Sequence, residues 1–176
     1  MKKITHVVIM NVGFLKTTLL LFLLFGYYLC SAQQADKIFI GNMHGDVPTI
    51  TADTSKLSKA LRRTLADGTV IQEIFIESAG GFHYLVGAGY KSNYKKIIAV
   101  QLGYDIASRT FFVGNKTTHI TCASAACENC KTYKENGKII ACHCIEQNSA
   151  SNHCNFNSKE QSDFFFHLQH FLHTKK

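Results

Sequence analysis

Cysteine placement constrains this chain more than any other feature. Six of its seven cysteines fall between Cys122 and Cys154, and residues 33–121 contain none. The first part must therefore fold on its own apolar core. The second carries a framework that can be crosslinked if the compartment is oxidising. The N-terminus answers the compartment question. Lys2, Lys3 and Lys16 precede an apolar run from Leu19 to Leu29, and Cys30, Ser31 and Ala32 form a small-residue exit. That order is a secretory signal, and the run falls short of the roughly 20 residues of a comfortable membrane span. Cleavage after Ala32 is expected, giving a periplasmic or secreted protein. One alternative is an uncleaved segment that anchors the chain. Another is lipid attachment at Cys30, against which the bulky Leu29 argues.

Loss of residues 1–32 removes three lysines and no acid, which leaves sixteen basic residues against twelve acidic, a net +4. Scattered over a surface, that charge serves solubility. No basic stretch interleaved with aromatics stands out, so no nucleic-acid partner is expected.

Residues 33–121 read as an α+β domain. Lys37 to Ile40 is a short strand candidate, and the stretch from Gly41 to Thr51, with the chain's single proline at Pro48, reads as a loop. Leu57, Leu61 and Leu65 make a helical stripe with Ala60 beside them, while Lys56, Lys59, Arg62 and Arg63 mostly fill the other faces. Thr54 or Ser55 can cap this helix, and Asp67 and Gly68 can end it. Strands are expected over 70–77, 82–90, 95–104 and 109–122, the last broken near Gly114 and Asn115. Their short connections favour antiparallel hairpins. Ile98, Val100, Leu102 and Tyr104 share one face of the third strand, and Phe82, Tyr84, Val86 and Tyr90 one face of the second. The expected fold is one helix packed on an antiparallel four-stranded meander, followed by a cysteine-rich hairpin (122–157) and a C-terminal helix (158–176). The element order resembles that of cystatin-like folds, a likeness that carries no activity.

Cys122, Cys127, Cys130, Cys142, Cys144 and Cys154 are an even set in an oxidising compartment, so disulfides are the first reading. Tyr133, Ile139, Ile140, Ile145 and Phe156 are the segment's few large apolar side chains. At about 1.5–3 kcal/mol for each one fully buried, they are thin cover for the entropy of ordering the segment. Asn136 and Gly137 signal a hairpin turn. A two-residue loop there sets Cys130 opposite His143; a three-residue loop sets it opposite Cys142, the favoured register because it puts two cysteines side by side. A zinc site on Cys127, Cys130, Cys142 and Cys144, with His119, His143 or His153 as substitutes, is an alternative, although the one-residue gap between Cys142 and Cys144 is unusual for it. A redox pair at Cys127 and Cys130 is another, but such pairs usually open a helix, and here a strand follows.

Thr121, Cys122, Cys127, Cys130 and the run Gly137 to Cys144 (GKIIACHC) resemble the tail of small exported proteins of Bacteroidetes-type bacteria whose activity is uncharacterised. The resemblance implies an export signal, a helix and sheet and a cysteine-rich C-terminal part. It supplies an address and no functional residue.

Catalytic signals are sparse. His44 and Asp46 flank Gly45, which is also ordinary turn chemistry. Ser78 lacks the flanking glycines of a nucleophile elbow, and no phosphate-binding glycine motif occurs. Gly87 and Gly89 sit inside a strand, where they mark a bulge or a close backbone approach. The Asn115 to Thr117 glycosylation sequon would matter only in a eukaryotic host. The C-terminal stretch sets Phe164, Phe165, Leu168, Phe171 and Leu172 on one side of a helix that Ser162 or Asp163 can cap, with His167, His170 and His173 at three-residue steps. That apolar face either docks on the domain's own core or meets a protein or a membrane surface. The sequence therefore predicts a non-catalytic exported binding or structural module without catalytic residues or cofactor. The alternatives are a partner- or membrane-binding module working through the C-terminal helix, and an exported enzyme or thiol-redox or metal protein.

Overall fold

Leu57, Ala60 and Leu61 are fully buried along one side of the helix that their spacing predicts. The computed structural model describes residues 36–124, 129–145 and 154–173, and this helix, α1, spans Thr54–Leu65. Its cap is Asp53, not Thr54 or Ser55. The Asp53 carboxylate accepts the N–H of Ser55 at 2.9 Å and of Lys56 at 3.3 Å, and its charge also suits the positive end of the helix dipole. The helix stops earlier than expected, because Ala66 itself turns left-handed (φ 52) and donates its N–H to the Arg62 carbonyl. The described residues from Lys37 onward form one compact unit, and the expected export signal lies outside the described residues.

The strands are β1 (Lys37–His44), β2 (Val47–Ile50), β3 (Val70–Ala79), β4 (Phe82–Lys91), β5 (Tyr94–Asp105), β6 (Thr110–Gly114), β7 (His119–Ser124), β8 (Cys130–Glu135), β9 (Lys138–Cys144) and β10 (Cys154–Lys159). The four-stranded meander with a single helix is too simple: eight strands make one antiparallel sheet, and β8 and β9 make a separate two-stranded one. The long strand β5 explains the difference. One edge pairs with β4; the other pairs with β7 over Lys96–Val100 and with β6 over Gly103–Asp105. From there the sheet diverges, β6 continuing to β1 and β2, and β7 to β10. It curls until β2 lies against β3, which makes it nearly a barrel. The expected loop before Thr51 is therefore partly strand. Pro48 is tolerated in β2 because β2 is an edge strand, where a missing N–H costs no ladder bond. Likewise β10 takes the end of the expected cysteine-rich hairpin (122–157) and the start of the expected C-terminal helix (158–176), so that helix begins only at Phe164.

The two faces of the sheet carry separate cores. Ile40, Ile76, Leu85, Ile98, Val100, Leu102, Phe111 and Val113 pack with α1 and with the C-terminal helix α2 (Phe164–His173). Tyr84, Val86, Ala88, Ile97, Ala99 and Ile120 pack on the other side with Cys122, Cys130 and Ile139. The β5 alternation thus points Ile98, Val100 and Leu102 at the helices as the sequence implies. Tyr84 and Val86 of β4 face the hairpin instead, because the hairpin buries the second face and β4 is covered on both sides.

The β8–β9 hairpin turns through Asn136 (φ 49) and Gly137 (φ 82), pairing Glu135 with Lys138. That is the two-residue turn, yet Cys130 does not face His143. A bulge beside Tyr133 and Lys134 shifts the register by one, so Cys130 faces Cys144 and Cys142 faces Thr132. The favoured opposition of Cys130 and Cys142 is therefore absent. The bridges leave the hairpin: Cys122 of β7 joins Cys142 of β9, and Cys130 of β8 joins Cys154 of β10. Cys144 is also disulfide-bonded. The hairpin tip rests on the β3–β4 turn so closely that a Cβ on Gly137 would lie 2.1 Å from the Ala79 carbonyl oxygen. Lys134 pairs with Glu77, and the Ile139 N–H donates to the buried Tyr84 hydroxyl at 3.3 Å.

Candidate functional site: a cationic helix face

Helix α1 reads TSKLSKALRRTL and helix α2 reads FFFHLQHFLH; neither contains an acidic residue. Burial of Leu57, Ala60 and Leu61 turns Lys59, Arg62 and Arg63 to solvent, with Lys56 half-buried. Lys59 is a like-charged neighbour of Lys56, Arg62 and Arg63 at helical spacings of three or four, an arrangement that costs a helix a few tenths of a kcal/mol per pair. Arg62 and Arg63 gain from the negative end of the helix dipole; Lys56 and Lys59 lie outside that last turn. The carboxylates nearest in sequence are already engaged, Asp53 as the cap and Asp67 with Lys96. Among the described residues the ion pairs are Lys96–Asp67, Lys134–Glu77 and Lys159–Asp163, and none involves α1.

Helix α2 lies against α1. Phe164, Phe165 and Leu168 are buried, Phe171 is half-buried against the same core, and Leu172 is 37% exposed. The apolar face singled out in the sequence as an interaction surface is thus largely spent on the protein's own core. The residue left in water is Phe166, 57% exposed. Ser162 fixes the start of α2: its Oγ accepts the Phe164 N–H at 3.1 Å and lies 2.7 Å from Nδ1 of the buried His119. Phe171 and the α1 residues Lys59, Arg62 and Arg63 line one open cleft of about 430 Å³, floored by Ala66, Gly68 and Thr69. His167 also feels one α1 cation, Arg63. Burial holds its imidazole below the ordinary range, Asp163 opposes this, and the charges of Arg63, His170 and Lys159 reinforce it. The two helices thus meet where Phe171 and His167 adjoin the α1 cations, and Phe166 stands exposed on the same helix α2.

The other predicted residues do not converge on a catalytic set. His44 and Asp46 stand exposed at the β1–β2 turn, where Arg109 donates to the Gly45 carbonyl. Cys127 and His153 lie outside the described residues. The sulfurs of Cys130, Cys144 and Cys154 lie within 4.8 Å of one another, and Cys144 is 3.5 Å from Cys154. All three are in disulfides, so in this state they offer no thiolate to a metal. Cys142 is equally committed to Cys122. His143 stacks edge-on against Tyr133. One pair escaped the sequence reading: Ser78 Oγ lies 2.8 Å from His83 Nδ1. The signal was available, since the two residues are equidistant from the Gly80–Gly81 turn and so pair across β3 and β4. Burial lowers the His83 pKa, and its ring packs on Tyr104 and Phe111. Among the described residues no carboxylate hydrogen-bonds the other ring nitrogen, so the pair lacks the orienting acid of a triad.

Among the described residues no helix is long and apolar enough to cross a membrane. No protein-family model, curated protein or solved structure matches the chain.

Proposed function

We propose that this chain is an exported, non-catalytic binding module, periplasmic or secreted, that captures an anionic partner on the paired-helix face. The observation that carries the reading is α1: four cations in twelve residues, no acid, and no ion pair to any of the four among the described residues. Solubility alone does not ask for like charges at helical contact spacing, where they oppose the helix that displays them. An anionic partner relieves that repulsion. The net +4 expected of the mature chain is thus concentrated on this helix and not evenly spread. Export rests on the N-terminal signal and on the disulfides, and the resemblance of the cysteine tail to exported Bacteroidetes-type proteins supports the same address.

The test is binding to soluble polyphosphate by fluorescence anisotropy over a salt series. The protein is expected to bind at low salt and release as salt rises. Arg62→Ala with Arg63→Ala should weaken binding while the thermal melt is unchanged. Undetectable binding at low salt would sink the proposal.

A further inference from the structure

We infer that the anionic partner is a lipid surface, an inference that rests on the helix face being an anion-capturing one. The second observation is apolar. With Phe164, Phe165 and Leu168 turned inward, Phe166, His170 and His173 point the opposite way, and Phe166 is left 57% exposed. On the same helix His167 feels Arg63 and the half-buried Phe171 lines the cationic cleft, while Leu172, 37% exposed, lies near the helix end. A soluble polyanion is matched by cations alone and gains little from an exposed phenylalanine. A bilayer of acidic lipids takes both: phosphates meet the lysines and arginines, and the ring enters the boundary between headgroups and acyl chains. The contact is peripheral, with the sheet and the disulfide-stapled hairpin on the side away from the lipid.

A second cationic cleft provides the control. Lys91, Lys95 and Lys96 line a cleft of about 340 Å³ at the β4–β5 turn, with Tyr94 and Asp67. Changing Lys91 and Lys95 to alanine removes as much charge as changing Arg62 and Arg63, from a different place.

The exported form of the protein would be co-sedimented with vesicles of mixed phosphatidylglycerol and phosphatidylcholine, and with vesicles of phosphatidylcholine alone; soluble polyphosphate would be titrated in parallel. Binding to the acidic vesicles and not to the neutral ones is expected. Arg62→Ala with Arg63→Ala should lower the partition coefficient about 25-fold, at about fivefold per cation near the surface. Phe166→Ser should lower vesicle binding about tenfold and leave polyphosphate binding unchanged. Lys91→Ala with Lys95→Ala should change neither. Each variant is at an exposed or half-buried position, and an unchanged thermal melt confirms folding. Polyphosphate binding without vesicle binding would overturn the lipid inference and leave the anion-binding proposal standing; binding to neither would overturn both. An unaffected Phe166→Ser variant, or an equal loss in the Lys91 and Lys95 variant, would overturn the assignment of lipid contact to this face.

Discussion

Changing Cys122 and Cys142 together to alanine should cost about 4 kcal/mol and should do so locally. Their bridge joins β7 to β9 across a sequence separation of 20, and a loop of that size corresponds to about 3 kcal/mol of unfolded-state entropy at 25 °C. Cys122 is fully buried among Val86, Ala88, Ile97 and Ala99, so the lost sulfur adds on the order of 1 kcal/mol. A domain of ordinary stability, about 5–15 kcal/mol, survives that loss. The β8–β9 hairpin pairs only with itself in the sheet ladder, and an isolated two-stranded ribbon is marginal in water. Its remaining attachments include the Cys130–Cys154 bridge, the Cys144 disulfide, the Lys134–Glu77 pair, buried Ile139, the Tyr84 hydrogen bond and the packing of Gly137 on the β3–β4 turn. The assay is urea unfolding followed by circular dichroism and tyrosine fluorescence, because the chain has no tryptophan, together with hydrogen exchange. Protection at Ile139 and its β8–β9 neighbours should fall well before protection in β4 and β5. A loss below about 1 kcal/mol, or undiminished protection in the hairpin, would refute the view that the bridge holds the hairpin over the second core.

Three further outcomes follow from single features. Peptide mapping of the non-reduced protein should return Cys122–Cys142 and Cys130–Cys154, with Cys127 linked to Cys144 as the third bridge and no thiol open to alkylation; two or more labelled thiols would contradict it. Gly137→Ala should destabilise by on the order of 2 kcal/mol or more, since its Cβ would meet the Ala79 carbonyl oxygen at 2.1 Å and its φ is +82; urea midpoints at equal m-value check it. Burial foremost, with help from Lys159 and against Asp163, lowers the pKa of His119 below the usual 6.5; the folded state thus prefers the neutral ring. Its contribution is therefore present above about pH 6.5 and lost as the pH falls through and below that value. The melting temperature should decline over that window, and His119→Gln should flatten the decline.

Local elements were legible because local chemistry decides them. The Leu57 and Leu61 spacing locates α1, the Gly80–Gly81 and Asn136–Gly137 turns locate two hairpins, and the β5 alternation identifies the helix-facing side. What the sequence conceals is non-local. The break near Gly114 and Asn115 was legible, but not that its two halves, β6 and β7, would share one edge of β5 and diverge, because that depends on pairing with the distant strands β1 and β10. The β9 bulge is equally invisible: it moves each cysteine by one partner and so redirects every bridge out of the hairpin.

The proposed functional face was concealed for a related reason. In sequence, the α2 apolar stripe is the conspicuous candidate and the α1 cations are the ordinary outer side of an amphipathic helix. Folding reverses their importance. Docking consumes Phe164, Phe165 and Leu168 and leaves Phe166 in water on the far side of α2, while α2 itself packs on a helix from more than a hundred residues earlier. A cation needs a carboxylate within about 4 Å to be neutralised as an ion pair, and whether one is near depends on the tertiary neighbours. Here α2 carries no acid, Asp67 is held by Lys96 and Glu77 by Lys134, and among the described residues no carboxylate pairs with an α1 cation. The repulsion along α1 therefore persists in the folded protein. Under the proposed function an anionic partner supplies the relief, and the exposed Phe166 of the adjoining helix favours a source that offers hydrocarbon as well as negative charge.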